Sequence, residues 1–452
     1  MSERQRVNHG LSAPLVRYRR LVQRAQVDGR VPALSVALHR ADRPLWTYQV
    51  GAQPRTRFRL GSVTKTFTAV LVLQCRDDGL LDLDDPIGRH LDLPRHGELA
   101  VRRLLSHTSG LQREPFGDMW DSLDVPDVDR LLGDLGRAER VLPPARRYHY
   151  SNLGYALLGY LVGRLRGGTW DEVLADRVVK PLGLAVGSDA GPDAATGYLV
   201  EPYSDHARPE PPLDMGALAP AAQLWGTAAD LARWGAFLAD PAKVDPDGAV
   251  LAPATLDEMR WPLTMSDETL WKVGFGLGLI LVNEGERRID VGHDGAMPGF
   301  LAGVYGRRGT GTPPALGVAV LGASGTATGL LDLPHALLAA AVEHDPAEIE
   351  PWRPGGPPPD HLRTVLGRWW SEGYEHVFFW RDGRLHARMA DAPADRPPAV
   401  FEETGPDVLR TVCGREAGEL LRLTRDPAGG EVVRMHWATY RFTRGQETFE
   451  GC

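Results

Sequence analysis

The sequence is poor in cysteine, in long apolar runs and in net charge. Its 452 residues include three cysteines, Cys75, Cys413 and Cys452, an odd and sparse set that fits neither a disulfide framework nor a cysteine-built zinc site. No stretch of about 18 apolar residues occurs, so we predict no membrane-spanning helix. No apolar run of the secretory type follows Met1. We therefore expect a soluble, cytoplasmic protein.

The charge balance and the missing motifs exclude further classes. Lys and Arg number 51 and Asp and Glu number 59, for a formal net charge of −8. A mildly acidic chain gives no electrostatic reason to bind nucleic acid or an anionic membrane. The sequence contains no His-Glu-x-x-His pattern and no Walker loop, so we expect neither a metal nor a nucleotide cofactor.

The organisation of the chain indicates two domains. Its length suits two ordinary domains, and 43% hydrophobic residues are ample for a large core. Five prolines and two glycines lie between residues 351 and 360, a composition typical of a stiff linker. We predict one domain over 1–350, a Pro-rich linker over 351–360 and a second domain over 361–452.

Hydrophobic periodicity predicts an α/β first domain and a small all-β second domain. The first domain has predicted strands near both of its ends and helices between them. This order favours a three-layer α/β domain whose central sheet is built from segments that are distant in sequence. The predicted helices are 14–29, 62–79 and 326–344, with further helices in 98–165, and the predicted strands are 33–38, 45–50, 274–282, 287–292, 301–305 and 316–321. After the linker, short strands suggest a barrel or curved sheet, at 376–380, 384–389, 408–412, 419–425 and 432–437.

The first candidate chemical motif is Ser62-Val63-Thr64-Lys65. Residues three apart share one face of a helix, so Lys65 is expected one turn above Ser62. Burial in an apolar helix lowers the pKa of a lysine, and a neutral amine can take the proton of a neighbouring serine. The alternative is an ordinary helix start with a capping serine.

Two more motifs contain residues suited to the same chemistry. Tyr150 and Asn152 lie at a loop-to-helix junction, where a phenol lowered in pKa by nearby cations can relay protons; alternatively Tyr150 is a core aromatic and Asn152 a helix cap. His293 lies at the end of a predicted strand and is followed by Gly295, which permits close approach of a ligand. His293 could donate a hydrogen bond or add positive charge, or be an ordinary edge-strand histidine.

Together, Ser-x-x-Lys, Tyr-x-Asn and a late basic residue-x-Gly resemble the ordered motifs of the β-lactamase-like, penicillin-recognising serine hydrolase family. The resemblance covers residues 14–345 and implies a three-layer α-β-α transpeptidase-like domain with an antiparallel sheet. It also implies that Ser106 and His107 are framework residues that brace the cleft, since no Gly-x-Ser-x-Gly elbow is present.

The resemblance implies a role for each motif residue. Ser62 would be the acylated nucleophile, Lys65 its activator, and Tyr150 the proton relay. Asn152 would hold the amide carbonyl of the substrate. His293 would take the place that lysine often occupies and would polarise the Tyr150–Lys65 network.

The oxyanion hole implied by the resemblance consists of the backbone N–H groups of Ser62 and Ala296, with Gly295 beside the substrate. In the second domain, Arg441 and Arg444 are candidates for clamping a substrate carboxylate. The alternative for both arginines is a solvated surface charge.

The motifs leave the acyl acceptor open. The layout resembles the stand-alone penicillin-binding-protein-type thioesterases, which carry a C-terminal lipocalin-like domain. That resemblance implies release and head-to-tail cyclisation of a nonribosomal peptide, presented as a thioester on a peptidyl carrier protein. The alternative is a cytosolic esterase or D-amino-acid amidase or peptidase. A non-enzymatic peptide binder is a third class, against which the intact motifs argue. His293 in place of lysine, and the lack of a Glu-x-x-Leu-Asn motif, argue against antibiotic hydrolysis as the main role.

Overall fold

The computed structural model describes residues 12–145, 147–349, 351–394, 396–428 and 430–446. The chain divides into two compact units, Met1–Glu348 and Ile349–Cys452. Residues 351–359 have no regular secondary structure. No helix within these described ranges is long and apolar enough to cross a membrane. Cys75 is a buried free thiol and Cys413 an exposed one, and Cys452 lies outside the described residues.

The first unit contains α-helices and β-strands interleaved along the chain. Its helices are α1 (Ala13–Asp28), α2 (Thr64–Asp77), α3 (Val101–Leu105), α4 (Met119–Ser122), α5 (Val128–Asp134), α6 (Asn152–Arg166), α7 (Trp170–Leu174), α8 (Lys180–Leu182), α9 (Ala219–Ala222), α10 (Ala228–Ala239), α11 (Pro241–Val244), α12 (Pro253–Met259) and α13 (Leu333–His344). Its strands are β1 (Leu34–His39), β2 (Trp46–Val50), β3 (Phe58–Arg59), β4 (Tyr198–Val200), β5 (Ala207–Pro209), β6 (Trp225–Gly226), β7 (Thr264–Met265), β8 (Val273–Phe275), β9 (Ile280–Asn283), β10 (Arg288–Met297), β11 (Phe300–Gly309) and β12 (Gly317–Gly322).

An eight-stranded antiparallel sheet, in the order β2-β1-β12-β11-β10-β9-β8-β7, is the middle layer of the first unit. Side chains alternate between the two faces of a strand. On β12, Val318 and Val320 therefore pack into the cluster with α1 and α13, whereas Ala319 and Leu321 pack into the larger cluster with α2, α6 and α10. The predicted three-layer fold with an antiparallel sheet is confirmed.

Helix α10 lies close against the sheet because glycines face it. A Cβ atom at Gly306 would lie 2.1 Å from the carbonyl oxygen of Gly235, and one at Gly317 would lie 2.2 Å from that of Ala232. Such distances leave no room for a side chain, so backbone packs directly on backbone. This close packing supports the central strands that carry the site.

Strand β10 extends further than the sequence indicates. The predicted strand ends at residue 292, but the observed strand continues to Met297 and forms a hairpin with β11, in which His293 pairs with Val304. Gly299 has φ +78° in the two-residue turn, a conformation that glycine adopts without strain. His293 therefore lies within a strand rather than at its end.

The second unit is a near-barrel of eight antiparallel strands in sequential order. The strands are β13 (Gly367–Ser371), β14 (Tyr374–Arg381), β15 (Arg384–Met389), β16 (Ala399–Gly405), β17 (Val408–Cys413), β18 (Leu420–Arg425), β19 (Val432–Trp437) and β20 (Tyr440–Phe442). Trp370 in β13 and Thr443, the residue after β20, exchange two backbone hydrogen bonds, of 2.9 and 3.0 Å, that bring the two ends of the sheet together. The prediction of a small all-β domain is confirmed, and β13, β16 and β20 are additional strands.

Candidate active site

Ser62 lies in a single 3₁₀ turn, Gly61–Val63, that leads directly into α2. The Lys65 ammonium nitrogen Nζ lies 3.0 Å from Ser62 Oγ and donates a 2.9 Å hydrogen bond to the carbonyl oxygen of Ala221. The i, i+3 spacing on one helix face produces the first contact. The second contact, with α9, comes from a distant part of the chain and was not predicted.

The electrostatics of Lys65 favour its neutral form. The side chain is fully buried, and burial lowers its pKa well below the usual value, while the negative charge of Glu114 opposes this shift and the positive charge of Arg113 adds to it. A neutral amine has a lone pair that can accept the Ser62 proton. The structure therefore places this amine in contact with the Ser62 hydroxyl, and the roles of base and nucleophile stay predictions.

Tyr150 lies against this pair. The phenol hydrogen-bonds to Ser62, and Lys65 Nζ lies 4.8 Å from the centroid of the Tyr150 ring. Burial raises the Tyr150 pKa, and the Ser62 hydrogen bond and the positive charge of Arg113 only oppose that shift. The prediction that nearby cations depress the Tyr150 pKa is therefore wrong. The phenol is protonated and can act as an acid rather than as a base.

His107 holds the loop that positions Tyr150. Its carbonyl oxygen accepts the N–H of His149 at 2.8 Å, and its Nδ1 accepts the N–H of Ser151 at 3.1 Å. Its ring lies 4.3 Å, centroid to centroid, from that of Tyr150. Burial lowers the His107 pKa well below its usual value, so the imidazole is neutral. These contacts match the predicted bracing role of His107.

Asn152 begins α6 and is bonded to a carboxylate that sequence reasoning missed. Ser151 Oγ caps the helix by accepting the N–H of Gly154 at 3.0 Å, so Asn152 is not the cap. Asn152 Nδ2 donates a 2.6 Å hydrogen bond to Glu114 Oε1. Because an amide nitrogen carries two hydrogens, one remains for a substrate carbonyl, so the role predicted for Asn152 stays a prediction.

His293 is neutral and presents an acceptor. Its Nδ1–H donates a 2.5 Å hydrogen bond to the carbonyl oxygen of Asp294, and its Nε2 is buried without a hydrogen-bond partner in the described structure. Burial and the positive charge of Lys65 lower its pKa to about 3. The prediction that His293 adds positive charge is therefore wrong.

The nucleophile turn packs directly on β10. A Cβ at Gly295 would lie 1.9 Å from the Leu60 carbonyl oxygen and 3.3 Å from the Ser62 backbone nitrogen, and one at Gly61 would lie 2.8 Å from the Ala296 backbone nitrogen. The residues predicted to supply the two oxyanion-hole donors are thus brought together. Only glycine permits this approach, and at Gly61 φ is also +52°. That the two N–H groups bind an oxyanion stays a prediction.

The two arginines of the barrel differ in what the structure shows. The Arg444 guanidinium donates to the carbonyl oxygens of Thr364, Leu366 and Arg368 and lies 3.8 Å from the centroid of the Trp369 ring. Those bonds hold the guanidinium in the barrel wall, and a contact of Arg444 with a substrate carboxylate stays a prediction. Arg441 pairs with His436 in the β19–β20 ladder, and a substrate contact there stays a prediction.

Comparison with known proteins identifies the family. The model of the family described as Beta-lactamase matches residues 18–341. The chain belongs to the beta-lactamase family of serine hydrolases. A second model, described as a domain of unknown function (DUF7586), matches residues 358–444.

This beta-lactamase-family chain matches two curated relatives over different shares of their lengths. Penicillin-binding protein 4 of Amycolatopsis lactamdurans is 33% identical over 283 residues, which cover 57% of this chain and 71% of that protein. Beta-lactamase-like protein 2 of Dictyostelium discoideum is 28% identical over 225 residues, which cover 46% of this chain. The chain spans only 40% of the length of that second relative.

Solved structures extend the likeness to both units. SurE has a TM-score of 0.60 and 26% identity and covers 96% of this chain and 98% of its own. A penicillin-binding protein homologue from Pyrococcus abyssi, described as octameric, has a TM-score of 0.60 and 18% identity, with 95% of this chain and 100% of its own covered. The second likeness shows the shared fold alone.

Proposed function

We propose that this beta-lactamase-family chain is a serine acyl-transfer enzyme that works through an acyl-Ser62 intermediate on peptide-type substrates. The 3.0 Å contact between the buried Lys65 amine and Ser62 Oγ carries the proposal, because a base that is neutral and adjacent is what a serine needs to become a nucleophile. Membership of the family supports it.

The proposed first step transfers one proton and one acyl group. Neutral Lys65 accepts the Ser62 hydroxyl proton as Oγ attacks the acyl carbonyl, whose oxygen becomes negative between the N–H groups of Ser62 and Ala296. The protonated Tyr150 phenol gives its proton to the leaving thiol or amine, and Lys65 returns a proton to Tyr150.

The proposed second step reverses this sequence with a new nucleophile. Water or an amine loses a proton to the Tyr150–Lys65 pair and attacks the acyl-Ser62 carbonyl. The bond to Ser62 Oγ breaks, and Oγ regains its proton. With water the product is an acid, and with an amine it is an amide.

The finer proposal is a trans-acting thioesterase that releases and head-to-tail cyclises a nonribosomal peptide carried on a peptidyl carrier protein. Its support is the resemblance in layout and the likeness to SurE across both units. SurE has also been solved with D-Leu, at 25% identity and a TM-score of 0.56, which supports a D-residue in the donor.

Two experiments test the acyl-Ser62 chemistry and the peptide cyclisation separately. Mass spectrometry after incubation with a fluorophosphonate or a penicillin should find an adduct on Ser62 that the Ser62→Ala variant lacks. Absence of an adduct with both reagents would contradict acyl-Ser62 chemistry. A peptidyl thioester ending in a D-residue should then yield a product lighter than the linear acid by one water. Linear acid alone would contradict cyclisation of that substrate and favour the hydrolase alternative.

A further inference from the structure

A cavity that none of the predicted catalytic side chains lines lies among the helices of the first unit. Its volume is about 680 Å³, and its walls come from α5, α6, the start of α7 and the segment 216–220 that leads into α9. Small-molecule sites in proteins occupy roughly 300–1,000 Å³. Ser62, Lys65, Tyr150 and His293 are not among its described lining residues. The cavity is therefore large enough for a ligand of its own.

The walls of this cavity are mainly apolar. Helix α5 contributes Val128, Leu131 and Leu132, and α6 contributes Ala156 and Gly159. Short side chains on α6 and aliphatic ones on α5 leave a space whose walls offer few hydrogen bonds. Such a space holds water poorly and favours the apolar part of a ligand.

The helices around the cavity are fixed against one another. A Cβ at Gly159 would lie 2.0 Å from Cγ of Pro220, so α6 and α9 are already in contact there and cannot move closer. The Pro220 carbonyl oxygen accepts a 2.7 Å hydrogen bond from the Thr68 hydroxyl, which joins α9 to α2. Thr169 and Glu172 cap the start of α7 reciprocally. The cavity is thus preformed, as ligand sites usually are.

Two donor side chains of the lining have no acceptor. Trp170 is 7% exposed, and its Nε1 is buried without a hydrogen-bond partner among the described residues. A buried N–H group without an acceptor is costly, and a ligand that supplies the acceptor removes that cost. Arg164, in the last turn of α6, is exposed and forms no ion pair with a described carboxylate.

The chemistry of these donors selects the polar end of the ligand. An indole N–H can only donate and a guanidinium is positively charged, so a carboxylate satisfies both. An ammonium group offers donors alone and cannot satisfy Trp170. Asp171 also lines the cavity, but its carboxylate accepts the Ser188 hydroxyl. A negatively charged acceptor on an apolar body therefore fits this cavity.

We propose that this cavity is a binding site for a monocarboxylate with an apolar body, such as a medium-chain fatty acid. The carboxylate accepts a hydrogen bond from Trp170 Nε1 and lies toward Arg164, and the alkyl chain packs against α5 and α6. The site is distinct from Ser62. The inference therefore goes beyond the proposed function and does not depend on acyl-enzyme chemistry.

Isothermal titration calorimetry with octanoate tests the site in the full-length protein. The titrations use wild type, Trp170→Phe, which keeps an aromatic ring but removes the N–H, and Arg164→Met, which keeps the stem but removes the charge. The matched controls are Trp261→Phe, at a side chain 70% exposed, and Arg20→Met, at an exposed position of α1. The control ligand is 1-octanol, which has the same chain without the carboxylate. Circular dichroism checks that each variant is folded.

Octanoate should bind wild type and should bind Trp170→Phe about tenfold or more weakly, the usual loss for a hydrogen bond to a charged group. Arg164→Met should weaken binding about two- to fivefold, because an exposed charge pair contributes less. Both control variants should match wild type, and 1-octanol should bind wild type more weakly than octanoate does. Wild type whose Ser62 is blocked by a fluorophosphonate should bind octanoate unchanged.

Other results would overturn the inference. These are no binding of octanoate by wild type, an unchanged affinity in both Trp170→Phe and Arg164→Met, or an equal loss in the control variants. Loss of binding when Ser62 is blocked would place octanoate in the catalytic cleft and would also overturn it. If Ser62 takes no fluorophosphonate, the proposed function fails, and octanoate binding by the variants still decides the role of the cavity.

Discussion

At the scale of single residues, the site obtains its reactivity from burial rather than from added charge. Lys65 lies inside the protein with Nζ bonded to one carbonyl oxygen and to Ser62. His293 is neutral, with a pKa lowered to about 3. Among the described residues no anion is hydrogen-bonded to Lys65, and desolvation is the largest influence on its lowered pKa, so burial favours the amine over the ammonium.

The first prediction concerns the base. The Lys65→Met variant keeps an apolar stem but no amine, and it should be acylated at Ser62 about 10²–10⁴-fold more slowly. In wild type the acylation rate should rise with pH as Lys65 loses its proton at its lowered pKa. Rates of fluorophosphonate labelling against pH provide the measurement. Lys180→Met, on a surface lysine 73% exposed, should behave as wild type; an unchanged rate in Lys65→Met would contradict a role as base.

Sequence reasoning found these residues where the signal was local. Ser62 and Lys65 are three apart on one helix, and Tyr150 precedes a helix cap, so their positions follow from short patterns. Glu114 carried no such signal, because its contact with Asn152 depends on how a loop folds across α6. A lowered Tyr150 pKa and a positively charged His293 were both left open by the sequence, and burial contradicts both. Burial is a property of the folded chain, so the sequence alone could not decide between the alternatives.

At the scale of elements, β10 serves two layers at once. Its His293 and Gly295 face the nucleophile turn, whereas the alternate residues face α13. There Asp290 is fully buried and bonded to Arg307 at 2.5 and 2.7 Å and to His335 at 2.6 Å. Asp294 is also enclosed on this side, and one of its carboxyl oxygens has no partner within the described residues. Disturbance of either face therefore reaches the strand that lines the site.

The second prediction concerns the contact between β10 and the nucleophile turn. In Gly295→Ala the new Cβ would lie 1.9 Å from the Leu60 carbonyl oxygen, so strand and turn must separate. We expect a loss of about 1–3 kcal/mol in the free energy of unfolding and strongly slowed acylation of Ser62. Gly133→Ala, a helical position with nothing within 4 Å, should cost nothing. Wild-type labelling by Gly295→Ala would show that the contact is dispensable.

The third prediction concerns pH and stability. Burial raises the Asp294 pKa to about 6, against opposing effects of a Tyr305 hydrogen bond and of His335, while the negative charge of Asp332 adds to the rise. A raised carboxyl pKa means that folding favours the protonated form. Its contribution is complete below the unfolded value, near 4, and is lost as pH rises through about 6.

Asp294→Asn removes this titration. Relative to the variant, wild type should lose up to about 3 kcal/mol of stability between pH 4 and pH 8. Urea unfolding of both proteins across that range measures the difference. A constant difference between them would indicate that Asp294 has the same pKa in the folded and unfolded states.

The elements themselves were predicted to different degrees. Strand β15 was predicted at its observed bounds because the Asp382-Gly383 turn marks its start, and both residues have positive φ, of 51° and 72°. Strand β16 was missed because Glu402 and Glu403 interrupt the apolar alternation. Barrel strands with one charged outward face show a weaker pattern than strands buried on both sides, such as β12.

At the scale of the whole molecule, each unit has its own core. The barrel core consists of residues between Leu362 and Phe442, and the two clusters of the first unit involve residues up to Val342. Trp369 is the largest fully buried side chain of the barrel cluster, and its Nε1 donates a 2.6 Å hydrogen bond to the Val365 carbonyl oxygen. A substitution at Trp369 should therefore lower the stability of the barrel before that of the first unit.

The fourth prediction tests this separation in the full chain. Trp369→Ala should destabilise the barrel by about 3–5 kcal/mol, seen as a thermal transition shifted to lower temperature. Fluorophosphonate labelling of Ser62 should persist below the transition of the first unit. Simultaneous loss of labelling with the barrel transition would show that the two units unfold as one. Trp261→Ala, at a side chain 70% exposed, is the matched control.

The pairing of β1 with β12 places a constraint on biosynthesis. Leu34 pairs with Gly322, so β1 cannot form this pairing until β12, which is much later in the chain, has been translated. Ser62 likewise emerges long before Gly295 and Ala296, against which its turn packs. Such non-local closure is slow, because chain entropy must be lost before the contacts form. The nascent chain therefore contains Ser62 before it contains the strand against which the Ser62 turn packs. We expect Ser62 to become reactive only after β10 has been translated and has joined the sheet.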